Sequence, residues 1–219
     1  MNKKSPPSPD YYEHSAWQNN ALVCGVDEVG RGCLAGPLIV VAAILPLNCP
    51  EHFKDSKKMT AKQRDAAFAW LNEHAIFTIA RADHQRIATK NIYQATKAAM
   101  ELSLMMLSSR HEKQWLHLSA ILVDAMPITL PPLLQAPPIH SFIKGEESSR
   151  SIAAASIIAK VTRDRLMTRL SPLFPGYDFA RNKAYASAHH AAALLQGPSS
   201  FIHRENFVKT LRTNLKERS

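Results

Sequence analysis

With 219 residues, 46% of them hydrophobic, the chain is long enough for one domain with a sizeable core. Its 27 Lys and Arg outweigh 18 Asp and Glu by a formal net charge of +9, which favours a polyanionic partner such as nucleic acid. The three cysteines, Cys24, Cys33 and Cys49, are odd in number and lack paired spacing; this excludes a disulfide framework and a zinc site and points to the cytoplasm.

Residues 1–10 carry Lys3 and Lys4 but then Ser-Pro-Pro-Ser-Pro in place of an apolar run, so they do not read as a signal peptide. Residues 1–20 are expected to be a disordered tail ahead of one domain over 21–219. The longest apolar run, 38–45, is far too short to span a bilayer, and no membrane association is expected. Residues 23–28 and 38–45 predict two strands. The Gly/Pro connection between them is too short for a helical crossover, which makes them antiparallel neighbours. Within the first strand, Gly25-Val26-Asp27-Glu28-Val29-Gly30-Arg31-Gly32 sets two adjacent acids in an apolar context. Burying a carboxylate is costly unless it is paired or holds a metal. Asp27 and Glu28 would point to opposite faces of a regular strand and can share an ion only where that strand ends, and Gly30 and Gly32 supply the ending. The glycines also bring backbone N–H groups close to a ligand, and the Arg31 fork suits phosphate.

After a polar loop holding Asp55-Ser56-Lys57-Lys58, Thr60 and Gln63 form a capping box for a helix that buries Phe68 and Leu71. Residues 76–81 alternate as a half-buried third strand. A helix over 92–109 carries Ala95, Ala99, Leu102 and Met106 at helical spacing, with its Met-rich end filling core. Residues 118–123 form a strand apolar on both faces that ends on Asp124, and 139–143 a fifth strand that runs into Lys144-Gly145-Glu146-Glu147. Ser149 or Ser151 caps a helix with Ala154, Ile157, Ile158 and Val161 on one face. The far end of that helix, with Lys160, Arg163, Arg165 and Arg169, reads equally as a solvated face or a phosphate track. Helices over about 188–195 and 205–216 close the chain. His189, His190 and His203 have no ligand-spaced partner and are read as surface or capping residues.

Three strands thus end in acids: Asp27 with Glu28, Asp124, and Glu146. Carboxylates brought together require cations, and hard oxygen donors suit Mg²⁺ or Mn²⁺. Two such ions can activate a water and stabilise the leaving oxygen of a phosphodiester, so the acids and the basic chain together point to a nuclease. A dinucleotide fingerprint at Gly30-x-Gly32-x-x-Ala35 fails, because the β-branched Leu38-Ile39-Val40-Val41 stands where the phosphate-binding helix belongs. A binding module without catalysis would leave the acids unexplained and would be expected to show aromatic platforms.

From Leu22 to Arg212 the chain resembles the bacterial ribonuclease HII family, the type 2 ribonucleases H. The resemblance rests on the Gly25 to Gly32 motif with Leu34-Ala35-Gly36-Pro37, on Asp55-Ser56-Lys57-Lys58-Met59-Thr60, on Asn91-Ile92-Tyr93-Gln94-Ala95-Thr96, on Val123-Asp124, on Lys144-Gly145, on the helix from Ser151 to Asp164, and on Ile202-His203-Arg204-Glu205-Asn206-Phe207. It implies an α/β, RNase H-like fold: a five-stranded mixed sheet flanked by helices, with a helical C-terminal part over about 186–219. It implies that Asp27, Glu28, Asp124 and Glu146 are the catalytic, metal-holding acids, for Mn²⁺ or Mg²⁺, two ions during catalysis. Glu146 stands where the family usually has Asp. Gly30, Arg31 and Gly32 match the loop that senses a ribose 2′-OH, and Tyr185 matches the tyrosine that stacks on the following deoxyribose. Ala125, Ala184 and Ala186 replace glycines usual in the family. Lys57, Lys58, Lys144 and Lys183 are the phosphate-contact candidates. The expected activity is cleavage of the RNA strand of RNA/DNA hybrids and at single ribonucleotides in duplex DNA, by a cytoplasmic monomer.

Overall fold

The computed structural model describes residues 9–51, 53 and 56–216. Among these, β1 (Leu22–Val29), β2 (Leu38–Ile44), β3 (Ile76–Ala82), β4 (Leu118–Asp124) and β5 (Ile139–Phe142) form one mixed sheet in the order β3-β2-β1-β4-β5. The pair β1–β2 is antiparallel, as its short connection dictates; β2–β3 is antiparallel across the longer connection that carries α2, and β1–β4 and β4–β5 are parallel. Both faces of the sheet are covered, so all seven residues of β2 are buried. Period-two alternation divides them: Val40, Ala42 and Ile44 join Met100, Leu104 and Leu107 of α3 (His84–Arg110) on one face. Ile39, Val41 and Ala43 join Leu71 of α2 (Ala61–His74) and Ala154, Ile157 and Ile158 of α5 (Arg150–Leu170) on the other. Of the two residues expected to line α2, Leu71 is fully buried and Phe68 only partly. The mixed five-stranded sheet with helices on both faces is the expected architecture.

Local signals set the boundaries. Thr60 and Gln63 close the capping box at the start of α2, and the Ser149 side chain accepts from Ile152 N–H at the start of α5. The helix predicted from residue 92 begins there, because Asn91 takes a left-handed φ of 61° and its side chain accepts from Gln94 N–H at 3.0 Å. A preceding turn capped by Asp83 extends α3 back to His84. α4 (Glu112–Leu116) leads into β4, and α6 (Phe179–Asn182), α7 (Ala188–Gln196) and α8 (Glu205–Lys216) complete the chain. Leu194 of α7 and Val208 of α8 bury against Leu34, just before β2.

The disordered tail expected over 1–20 is corrected over its second half; residues 1–8 lie outside the described residues. Tyr11–Gln18 is helix α1, pinned by polar contacts to the start of α5. The buried Glu13 accepts from Ser149 Oγ at 2.5 Å and Ser151 N–H at 3.0 Å, while Asp10 pairs with the buried Arg150 at 2.7 Å. Among the described residues no helix is long and apolar enough to cross a membrane.

Candidate active site

The parallel β1–β4 ladder ends at Val26 opposite Val123, so the next residues, Asp27 and Asp124, stand side by side at its open end. β1 continues to Val29 against β2, which places Asp27 and Glu28 inside the strand just before its end. Asp27 is buried; its Oδ1 accepts Glu28 N–H at 2.7 Å, and the Ser156 hydroxyl on α5 stands beside its carboxylate. Ser156 in turn shares a 2.9 Å hydrogen bond with Ser56, and both serines are buried. Asp124 Oδ1 accepts Gly145 N–H at 2.8 Å, and Glu146 stands close enough to the Asp124 carboxyl to raise its pKa. The turn after β5 thereby brings the fourth acid to the other three.

Electrostatics mark the cluster as short of cations. Burial, then Glu28 and Asp124, holds the Asp27 carboxyl well above the usual carboxylate range. Burial pushes Glu28 up to about 7, against the lowering effect of Arg31, and Asp124 is raised by burial with Glu146 adding to it. Two buried oxygens, Glu28 Oε2 and Glu146 Oε2, have no hydrogen-bond partner among the described residues. Arg31 reaches Glu28 at 3.4 Å and Lys57 reaches Glu146 at 3.1 Å. Among the described residues no three His, Cys, Asp or Glu side chains form a ready-made metal site. Oxygen-only donors, raised pKa values and orphaned oxygens nonetheless fit hard divalent cations.

The loop from Gly30 to Pro37 is clamped from behind by two buried arginines. Arg163 donates to the carbonyls of Ala35, Pro37 and Lys183, and Arg204 to those of Arg31 and Gly36, all within 2.8–3.1 Å. Gly30, at φ +95°, leaves no room for a side chain, because an added Cβ would sit 2.4 Å from Arg163 Nε. The expectation that Arg163 belongs to a solvated or phosphate-facing surface is corrected: it is fully buried. Its signal was its spacing, four residues from the buried Ala159 and four from the buried Met167 on the inner face of α5.

Leu34 N–H donates to Ala184 O at 2.8 Å, tying the Tyr185 segment to the same loop. The Tyr185 ring is 40% exposed, flanked by Lys160 at 5.7 Å and the Arg163 guanidinium at 5.9 Å. Its hydroxyl lies near Cys33, and burial, then Cys33, raises it to about 12, keeping it neutral. The lysines divide. Lys57 reaches the acids. Lys58 pairs with the exposed Glu147 at 2.7 Å, Lys144 is exposed in a left-handed turn, and Lys183 turns to Thr168 at 2.9 Å and to Ala180 O. Asp55 lies outside the described residues.

The histidine reading is corrected for His190 and His203, which are buried and bonded to each other, while His189 is exposed as expected. Ser200 N–H donates to His203 Nδ1 at 2.9 Å, which leaves His203 Nε2–H to donate to His190 Nε2 at 3.0 Å and His190 Nδ1–H to donate to Tyr185 O at 3.0 Å. Both rings are therefore neutral. Burial, reinforced by His190, lowers His203 to about 4, and burial lowers His190. Above pH 6.5 the contribution of this pair to stability is complete. As pH falls from 6.5 toward 4, the unfolded chain takes up a proton that the folded chain refuses, a loss on the order of 2–3 kcal/mol. The thermal midpoint should fall across that window, and His203→Gln should flatten the fall. An identical acid profile in the variant would refute the assignment.

Ala125, directly after Asp124, sits at φ 51° and is exposed, so its Cβ adds strain without packing. Ala125→Gly should gain roughly 0.5–1 kcal/mol net of the extra chain entropy, read as a midpoint rise of about 1–3 °C. A lower midpoint would contradict the left-handed turn.

Comparison with known proteins first fixes the class. The ribonuclease H2 from Pyrococcus horikoshii OT3 superposes with a TM-score of 0.68 at 22% identity, covering 90% of this chain and 99% of that one. Bst-RNase HIII in complex with Mn²⁺ superposes with a TM-score of 0.58 at 20% identity, covering 96% of this chain and 71% of that one. The fold is thus that of the type 2 and type 3 ribonucleases H. A family model described as ribonuclease HII matches residues 24–211, and the ribonuclease HII of Lachnoclostridium phytofermentans is 46% identical over 191 residues, 86% of this chain and 71% of that protein. The chain belongs to the ribonuclease HII family, and is accordingly a hydrolase of the ribonuclease H class.

Proposed function

We propose that this chain cleaves the RNA strand of RNA/DNA hybrids and cuts duplex DNA at single embedded ribonucleotides, leaving 5′-phosphate and 3′-hydroxyl ends, as a monomer in the cytoplasm. The observation that carries the reading is the gathering of Asp27, Glu28, Asp124 and Glu146 at the open end of the β1–β4 ladder, with two buried oxygens left unpartnered. These four acids, Asp27, Glu28, Asp124 and Glu146, would hold the divalent ions, Mg²⁺ or Mn²⁺, through oxygen donors alone. Bound there, the ions supply Lewis-acid activation of water and stabilisation of the leaving oxygen.

The chain's own residues select and hold the substrate. The Glu28 N–H fixes the orientation of Asp27, with Ser156 standing beside its carboxylate. The loop Gly30, Arg31 and Gly32, immobilised by Arg163 and Arg204, offers backbone groups close enough to read a ribose 2′-OH, the group that separates RNA from DNA locally. The exposed face of Tyr185 stacks on the next deoxyribose, and Lys57, Lys58, Lys144 and Lys183 meet phosphates. Cleavage of a continuous hybrid and of a lone-ribonucleotide duplex by Glu28→Gln and Tyr185→Ala tests this division. Glu28→Gln should remove both activities. Tyr185→Ala should lose about tenfold more on the lone ribonucleotide than on the hybrid, in line with the ~1–3 kcal/mol of an aromatic stack. Equal losses from Tyr185→Ala would discard junction recognition.

A further inference from the structure

Beyond Tyr185, α5 runs alongside a groove of about 340 Å³ whose walls include Arg64 of α2, Asp164, Arg165, Thr168 and Arg169 of α5, and Lys183 after α6. Four cations from three elements face one hollow, opposed by Asp65 and Asp164 alone among its lining residues. Holding like charges together in a concave site costs free energy, and an anion relieves it.

The groove is preorganised. Arg165 is held at its head group, the guanidinium 4.6 Å over the Phe68 ring and 2.9 Å from Asp65. Arg169, exposed one turn on, has no carboxylate partner among the described residues. Lys183 reaches Thr168 from a left-handed backbone, a strained conformation for a side chain that would otherwise lie free on the surface. Arg64 donates to the carbonyls of Ser56 and Met59, so the wall of the groove is also the brace of the turn carrying Lys57.

The groove continues the candidate active site along one face of α5. Ser156 lies beside Asp27, Lys160 lies by the Tyr185 ring and pairs with Asp164, and Thr168 follows four residues later. Each four-residue step advances about 6 Å, so the groove centre lies roughly 12–18 Å from the Asp27 end. Tyr185 is assigned to the deoxyribose that follows the ribonucleotide, so the direction from Ser156 through Lys160 leads to the 3′ side of the cut. At about 3.4 Å of axial rise per nucleotide this corresponds to roughly four or five nucleotides.

We infer that the groove between α2 and α5 binds the phosphate backbone of the DNA segment on the 3′ side of the ribonucleotide, roughly four or five nucleotides beyond it. This extends the proposed function and rests on it.

The test uses the full chain without divalent metal and two labelled duplexes with a lone ribonucleotide, one with about a dozen deoxynucleotides on its 3′ side and one with two. Wild type should bind the long duplex about tenfold more tightly than the short one. In an Arg165→Gln/Arg169→Gln protein that ratio should fall toward one, and the slope of log affinity against log salt on the long duplex should drop by about two. A matching thermal midpoint shows that the variant is folded. An unchanged ratio, or equal loss on both duplexes, overturns the groove assignment and leaves the nuclease reading standing. A wild-type protein that binds neither duplex overturns the nuclease reading itself.

Discussion

Asp27→Asn should abolish hydrolysis, a loss on the order of 10³-fold or more, and at the same time raise the thermal midpoint of the metal-free protein. The two effects share one cause. Asp27 is buried among Glu28 and Asp124, which raises its folded-state pKa above that of the unfolded chain. A carboxyl shifted upward contributes stability below its unfolded pKa and loses it as pH rises through the folded value, so near neutrality the charged group works against folding. Asparagine keeps an oxygen to accept the Glu28 N–H that Asp27 now accepts at 2.7 Å, and drops the charge. Relief of roughly 1 kcal/mol would appear as about 2–4 °C in a chain of this length. Mn²⁺ at a hundred times its dissociation constant should stabilise wild type by about 2.7 kcal/mol and the variant far less. Differential scanning fluorimetry with and without Mn²⁺ reads both. Retained turnover, or a variant less stable than the metal-free wild type, would contradict the assignment.

The second large effect belongs to the scaffold. A Cβ on Gly25 would lie 2.1 Å from the Ser151 carbonyl carbon and 2.3 Å from Ile152 N, both backbone atoms in the first turn of α5. Neither can rotate away as a side chain could, so Gly25→Ala must push α5 off the sheet. That helix carries Ser156 against Asp27, Lys160 and Arg163 against Tyr185, and most of the buried face over β2. The expected cost is about 4 kcal/mol or more, seen as a midpoint fall of roughly 10 °C or as insoluble protein. Gly32→Ala is the internal control, since nothing lies within 4 Å of the added Cβ; it should change stability by less than about 0.5 kcal/mol. Equal stability of the Gly25→Ala protein and wild type would contradict the close β1–α5 approach.

What was legible in the sequence follows from the range of the forces involved. Asp27, Glu28 and Asp124 stood out because a carboxylate closing an apolar strand is costly wherever the strand goes, and strand pairing then set them side by side. The capping box of Thr60 and Gln63 is local by construction and was recovered residue for residue. The arginine clamp was hidden, because Arg163 meets Ala35 and Arg204 meets Gly36, partners 128 and 168 residues away. The same distance concealed α1, whose polar sequence gains a reason to fold only when Glu13 meets Ser149 and Ser151. His190 and His203 were misread for a related reason: their mutual bond depends on how α7 and the segment before α8 pack, which neither local spacing nor composition encodes. The alanines at Ala125 and Ala184 were visible as departures from the family pattern, and the left-handed φ values of 51° and 65° show that the backbone kept the glycine-like turn despite them.

The most direct measurement is cleavage by the wild-type chain of three labelled duplexes, one all-DNA, one with a single ribonucleotide and one a continuous RNA/DNA hybrid, with Mg²⁺, Mn²⁺ or chelator. The account predicts metal-dependent cuts in the hybrid and on the 5′ side of the lone ribonucleotide, with the all-DNA duplex intact and no cleavage under chelation. Binding without cleavage in either metal, or cutting of the all-DNA duplex, would contradict it.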